Sequence, residues 1–308
     1  MIKILGATTA AMLIAGLIPG TAVARQSAVA TPSTASAGGC MVLAGSVTAA
    51  GDHAYKTVVA GTPSRVLASG TLGRGVYPAG AARISQSMTW GDDGISLSFV
   101  SGDTVLGDAL YRAQYTTGDD GVVDGTVTRV GGGWGNFVAI EGASYWDSVV
   151  RRGNAYGLTS DGTLYRWTVD SKGVWRNKVS APGFAAVKAM TLISSTLTYD
   201  TFLANTRGGA LYTIHIPTGA PMKPVVKQIR SSTWQGFETL ISQQCGNYGT
   251  LLLGIDRDTH LGYLYAVGHA TGPTTVIQSF GKVSTTFADP VYFHWDDGNA
   301  TAKPPFGE

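Results

Sequence analysis

The 308-residue sequence predicts an all-β protein: a five-bladed β-propeller closed by a C-terminal strand that completes the N-terminal blade. Three observations carry this prediction. A Leu-Tyr doublet returns as Leu110-Tyr111, Leu164-Tyr165, Leu211-Tyr212 and Leu264-Tyr265, at steps of 54, 47 and 53 residues. Phe137, Phe184 and Phe237 each stand 27 residues ahead of a doublet leucine. Long amphipathic helical patterns are missing, and 42 glycines suit a chain dense in turns. Repetition at about 50 residues marks a unit of about four strands that buries its faces only against copies of itself.

The strands follow from alternation and turn chemistry. Residues 155–159 and 163–169 form two strands around Ser160-Asp161-Gly162, a hairpin turn in which glycine tolerates positive φ. The second of these carries Leu164, Arg166 and Thr168 on one face and Tyr165, Trp167 and Val169 on the other. Apolar or amphipathic groups on both faces belong to a sheet sandwiched between neighbours. Similar strands are expected at 96–101, 202–206 and 250–256.

Counting units gives the closure. The unit of Leu110 starts near Ala81, where Ile84 matches Val187 and Leu240, and three more start at Phe137, Phe184 and Phe237. A fifth start at Phe287 has no doublet after it, while the strands at 41–47 and 54–59 have no start before them. Residues 287–294 are therefore expected to complete the first blade, a closure that removes unpaired strand edges.

The ends lie outside this pattern. Lys3, an apolar run over 4–18, Pro19-Gly20 and Ala22-Val23-Ala24 read as a secretory signal peptide over 1–24. Residues 25–38 are a flexible leader rich in Ala, Ser and Thr, and 39–308 form a single propeller domain. The chain is expected to be secreted, extracellular and monomeric. Charged residues make up 14% of the sequence with a net charge of +2, which excludes the basic clustering of a nucleic-acid partner. After the signal no apolar run is long enough for a membrane span. Cys40 and Cys245 are the only cysteines, and an even count in a secreted chain favours a disulfide. The competing use of Cys40 for lipidation lacks the usual aliphatic residue among Ser36-Ala37-Gly38-Gly39. Cys40 opens the first unit and Cys245 lies in the fifth, so closure makes them neighbours.

The third unit reads Trp134-Gly135-Asn136-Phe137, then Gly162-Thr163-Leu164-Tyr165-Arg166, then Trp175. This resembles the repeat of the tachylectin-2-like β-propeller lectins, and the resemblance covers most of residues 81–287. It implies a secreted lectin that binds N-acetylated amino sugars or related glycans between blades. Trp-x-x-Phe is complete at Trp134/Phe137 and Trp234/Phe237, whereas Ala181 and Ser284 replace the tryptophan in the other units. The basic residue after the doublet is present as Arg112 and Arg166 and becomes Thr213 and Ala266 elsewhere. These departures point to one or two sugar pockets rather than five.

Flat, amphipathic aromatic rings cover the C–H face of a sugar while fixed polar groups meet its hydroxyls. Trp134, Tyr165, Arg166, Trp167 and Trp234 are the leading ligand-binding candidates, followed by Tyr111 and Arg112. The same residues also serve blade packing, and a protein-binding or structural propeller without a small ligand is the alternative. A second alternative is a secreted glycoside hydrolase using carboxylates that converge in space, with Glu141, Asp147, Glu238 and Asp289 as candidate members. No catalytic motif is present: neither G-x-S-x-G, nor H-E-x-x-H, nor a P-loop occurs, and no catalytic residue is assigned. Asp92-Asp93-Gly94, Asp119-Asp120 with Asp124, and Asp296-Asp297-Gly298 read as hairpin turns without EF-hand spacing. The segment 119–124 is the one candidate for calcium. The five histidines are scattered, so no metal site and no cofactor are expected.

Overall fold

The structure, a computed structural model, describes residues 39–92, 98–118, 121–147, 149–297 and 304–308. The signal peptide and leader expected over 1–38 lie outside the described residues, as do Asp93, Gly94, Asp119, Asp120 and Gly298 of the acidic clusters.

All described regular structure is β. The first strands are β1 (Met41–Val47), β2 (His53–Val59) and β3 (Arg65–Gly73). They are followed by β4 (Ala82–Ser85), β5 (Met88–Asp92), β6 (Ser98–Leu106), β7 (Ala109–Gly118) and β8 (Gly121–Gly132). Next come β9 (Phe137–Trp146), β10 (Arg151–Thr159), β11 (Leu164–Val169) and β12 (Trp175–Ala181). β13 (Val187–Ser195), β14 (Tyr199–Thr206), β15 (Leu211–Pro217) and β16 (Val225–Arg230) repeat the arrangement. So do β17 (Thr239–Cys245), β18 (Gly249–Asp256), β19 (Leu261–Val267) and β20 (Ile277–Thr286), before the last strand, β21 (Val291–Asp297).

The strands β9–β12, β13–β16 and β17–β20 form three antiparallel four-stranded meanders. The other nine strands share one sheet in the order β3-β2-β1-β21-β5-β6-β7-β8, with β4 also on β6. Its parallel β21–β5 step divides it into a β21-β1-β2-β3 group and a β4/β5-β6-β7-β8 group. Innermost strands pack in cyclic succession: β4 on β9, β9 on β13, β13 on β17, β17 on β21, and β21 back on β4. A cycle of meanders whose first strands face one axis is a β-propeller.

Burial follows from that geometry. Strands in the middle of a sheet have neighbours on both faces, and β14 and β18 are buried along nearly their whole length. Edge strands β3, β12 and β16 are mostly exposed and carry Arg, Lys, Ser and Thr. Core clusters lie between consecutive sheets; one joins Tyr156, Leu158 and Leu164 to Phe202, Ala204 and Ile214. All four doublet leucines are fully buried in such clusters, while the tyrosines beside them are half-buried. Hydrogen bonds tie the doublet of one unit to the start of the next. The carbonyls of Asp108, Gly162 and Gly209, each two residues before a doublet leucine, accept from the amides of Trp134, Phe184 and Trp234.

The closing strand pairs antiparallel with β1, with Ala44 opposite His294 and Val47 opposite Val291. Its limits differ from those read in the sequence. Pairing with β1 covers Val291 to His294, the strand then continues to Asp297 against β5, and Phe287 sits ahead of the ladder as a buried packing residue. Asp289-Pro290 accounts for the late start, because proline cannot donate to a ladder and Asp289 instead accepts a 2.6 Å bond from Ser46 Oγ. Cys40 and Cys245 form a disulfide with Cα atoms 5.7 Å apart, joining the start of β1 to the end of β17.

Candidate functional site

Grooves between neighbouring sheets are the places where side chains of two units meet, and three of them differ in what fills them. The first lies between β6–β7 and β11–β12. A tight turn at Gly107-Asp108 puts Asp103 of β6 opposite Arg112 of β7. The guanidinium grips the carboxylate with both arms, Nε to Oδ1 at 2.8 Å and Nη2 to Oδ2 at 2.7 Å. Its third nitrogen crosses to the next sheet and donates to the Gly173 carbonyl at 2.8 Å. Trp175 returns the link, its indole N–H donating to Asp103 Oδ2 at 3.2 Å. Gly173 is required here, since its φ is +74° and a Cβ would lie 2.1 Å from Arg112 Nη1. Asp103 is 1% exposed, so a charge that would be costly alone is fully compensated. The hydrogen bond and charge of Asp103 hold the Arg112 pKa above its ordinary value, against the opposing effect of partial burial.

The second groove, between β10–β11 and β14–β15, is packed shut. Asp200 is wholly buried and accepts from Arg152 at 2.6 and 2.8 Å, from Tyr156 at 2.7 Å, from Asn154 at 2.9 Å and from Ser195 at 2.9 Å. Burial, with the nearby Asp200 charge, pushes the Tyr156 hydroxyl pKa up, so it remains a donor. Arg166, at the doublet position matching Arg112, donates to the carbonyls of Pro217 at 2.5 Å and Gly219 at 2.9 Å. The basic residue after the doublet thus clasps the loop of the following sheet in both copies that carry it. The third groove, between β13–β15 and β17–β18, holds the chain segment 304–308.

A cavity of about 1100 Å³ opens onto the first groove and runs toward the inner strands. Asp103, Arg112, Gln114 and Ser101 line it from one sheet, and Gly173, Trp175 and Lys172 from the next. Tyr145, Trp146, Arg151 and Gln244 border its inner part. Of the residues proposed from sequence, Arg112 alone borders this cavity. Trp134, Tyr165 and Trp167 come together behind it: Trp134 lies 4.3 Å from Phe137, 5.5 Å from Trp167 and 5.4 Å from Trp175 between ring centres. Lys178 Nζ sits 4.1 Å over the Tyr165 ring, a cation–π contact on the rim of that cluster. Trp134 and Trp167 are buried, and Trp175 is their half-exposed member facing the cavity. Trp234 is buried elsewhere, against Tyr265 at 4.9 Å and Phe237 at 5.7 Å. Arg166 is 4% exposed with its guanidinium committed to main-chain carbonyls, and Tyr111 is half-buried on β7.

Sequence reasoning passed over Asp103, Gln114, Lys172 and the Arg152–Asp200 network. One signal was available for Asp103. A two-residue turn at Gly107-Asp108 pairs 106 with 109, and counting back along both strands sets 103 against 112.

The carboxylates considered for hydrolysis are engaged separately. Glu141 accepts from Ser87 Oγ at 2.9 Å, Glu238 pairs with Lys188, Asp147 caps the amides of Val149 and Val150, and Asp289 holds Ser46. Burial lifts the Glu141 carboxyl to about 7, with Ser87 pulling the other way. Among the described residues no group of three or more His, Cys, Asp or Glu side chains is placed to hold a metal ion.

These features define the chain as a β-propeller with a polar, aromatic-backed cleft between two of its sheets. No protein-family model matches the sequence, and no curated protein matches it either. Among the solved structures similar to it are three propellers or lectins. The SapL1 lectin in complex with α-methyl fucoside matches at 12% identity over 78% of this chain and 79% of that one, with a TM-score of 0.38. A triple arginine-to-alanine mutant of AofleA from Arthrobotrys oligospora matches at 13% identity over 84% and 76%, with a TM-score of 0.44. The Dos1 propeller matches at 12% identity over 78% and 59%, with a TM-score of 0.33.

Proposed function

We propose that this chain is a secreted, monomeric five-bladed β-propeller lectin that binds carbohydrate in the cleft between β6–β7 and β11–β12. The cycle of inner strands β4, β9, β13, β17 and β21 supports the blade count. The observation that carries the sugar reading is the make-up of the cleft. Its polar groups are held in place, since Arg112 is locked by two bonds to a buried carboxylate and one to a carbonyl. Its wall includes the half-exposed indole of Trp175, backed by Trp134 and Trp167. Fixed donors and acceptors around a flat aromatic surface suit a ligand with hydroxyls on its edges and C–H groups on its faces. An N-acetylated amino sugar is the specific ligand that the tachylectin-2-like repeat suggests.

The test is a glycan array that includes N-acetylated amino sugars and fucosides, with chitin pull-down alongside. Gln114→Ala and Lys172→Ala remove cavity-lining groups that do not brace the fold, and Arg112→Lys keeps the charge while losing the two-armed grip. Specific binding weakened at least tenfold by these changes supports the reading. No binding to any glycan, or binding unchanged in all three variants, refutes it. A stable protein partner in place of sugar binding would favour the scaffold alternative, and glycoside turnover the hydrolase.

A further inference from the structure

The groove between β13–β15 and β17–β18 contains a piece of the chain itself, bound as a peptide ligand would be. Residues 304–308 lie extended across it and touch both walls with their main chain. Ser195 N donates to the Pro305 carbonyl and Gly307 N to the Ile193 carbonyl, both at 2.8 Å, on the β13 side. On the other side the Gly307 carbonyl accepts from Ala270 N at 2.8 Å, and Phe306 N donates to Gln244 Oε1 at 2.7 Å. Phe306 forms an antiparallel bridge with Ser194 and lays its ring 5.7 Å from that of Tyr248. At the deep end the Glu308 side chain meets His215 Nδ1 at 2.6 Å and accepts from the Thr201 hydroxyl. The Glu308 amide donates to Ser194 Oγ at 2.8 Å. Thr201 and Ser194 are both wholly buried, so the groove floor carries hydroxyls that address this segment. A Cβ on Gly307 would fall 2.4 Å from Thr250 Oγ1 and 3.0 Å from the Ile193 carbonyl, so any larger residue there forces Thr250 to rotate and the Ile193 carbonyl to give way.

The other grooves show that the fold does not need such a filler. By register, Thr201 opposite His215 corresponds to Ser101 opposite Gln114 and to Asn154 opposite Thr168, four residues beyond each doublet leucine. In one of those grooves the space is closed by Arg152 on Asp200, and in the other it opens into the cavity. Of these three grooves, the one with His215 places an imidazole and a buried hydroxyl together on a carboxylate.

We propose that this third groove is a binding site for an extended acidic peptide of the pattern aromatic-Gly-Glu, occupied in cis by Phe306-Gly307-Glu308. Binding of a partner's segment requires the cis segment to leave. The proposal does not require the carbohydrate reading, while Ile193, Gln244, Thr250 and Pro305 of this groove also border the inner part of the cavity. The experiment uses fluorescein-labelled Lys-Pro-Pro-Phe-Gly-Glu as probe, followed by anisotropy. Its targets are the full chain, a chain ending at Lys303, and a full-length Gly307→Ala chain in which the added methyl crowds Thr250 and the Ile193 carbonyl and weakens the hold on the segment. Saturable binding to the shortened and Gly307→Ala chains, at least tenfold tighter than to the full chain, is the expected result. Peptides ending Phe-Ala-Glu or Phe-Gly-Gln should bind at least tenfold more weakly. Absence of binding to both altered chains, equal binding by the Phe-Ala-Glu peptide, or displacement by glucuronate as effective as by unlabelled peptide would overturn it. Should the shortened chain fail to fold, the Gly307→Ala chain decides. Failure of both to fold would show the segment to be part of the core and would equally overturn the proposal.

Discussion

Removing the Cys40–Cys245 disulfide should cost this protein about 5 kcal/mol of stability. The bridge spans 205 residues of sequence, and closing a loop of that length in the unfolded chain removes entropy worth about 5 kcal/mol in the chain-entropy account. Its native environment adds little to that figure. Cys245 is buried against Ile241, Leu251 and Val42, and a Cys→Ala change there trims one small side chain without leaving a polar group stranded. The Cys40→Ala/Cys245→Ala chain should therefore unfold at clearly lower urea, with a melting temperature lower by roughly 10–20 °C for a domain of this size. The urea dependence should steepen as well, because an unbridged unfolded chain exposes more surface. Tryptophan fluorescence is a suitable monitor, since Trp295 is buried on β21 beside the junction. Reduction of the unaltered protein should reproduce the loss. A decrease below about 1 kcal/mol would refute the reasoning and assign ring closure to the β1–β21 ladder alone.

Other consequences can be checked in the same way. Arg112→Met strands the buried Asp103 carboxylate and should destabilise by about 3–5 kcal/mol, whereas Arg112→Met with Asp103→Leu should recover most of it in a double-mutant cycle. His53 is buried among Tyr77, Tyr115, Phe293 and Trp295, and desolvation lowers its pKa to about 3 although Asp52 opposes this. The unfolded chain thus takes up the proton first as pH falls below about 6.5, so stability drops from there toward pH 3, by about 2 kcal/mol at pH 5. His53→Phe should flatten that limb in urea titrations, and an unchanged slope would count against it. Glu141 has the opposite sign. Its folded pKa of about 7 lies above the unfolded value, so the stability it contributes is present below about pH 4.5 and lost as pH rises through 7. Glu141→Gln should remove that decline, measured as melting temperature from pH 5 to 8.

The repeat was legible in the sequence because it comes from contacts close along the chain. A hairpin places its own partners by counting from the turn, so Leu110, Leu164, Leu211 and Leu264 mark the same buried position wherever a unit occurs. The closing strand was legible for a related reason, as an unmatched start at Phe287 and unmatched strands at 41–59 leave one way to complete a sheet. Aromatic residues were less informative. Trp134 and Trp175 are the same residue type, yet one is buried and the other borders the cavity, because Phe137, Trp167 and Trp175 cover Trp134 while Trp175 stands at the edge of that cluster.

What fills each groove was decided by tertiary structure alone. Arg152 meets Asp200 across 48 residues, Arg112 meets the Gly173 carbonyl across 61, and Glu308 meets His215 across 93. Those pairings depend on two sheets twisting toward each other, and side-chain alternation within a strand carries no information about that. Local periodicity therefore specified a ring of sheets, while one groove left open, one sealed by buried charge and one holding a strand of the chain itself arose from packing between sequence-distant units.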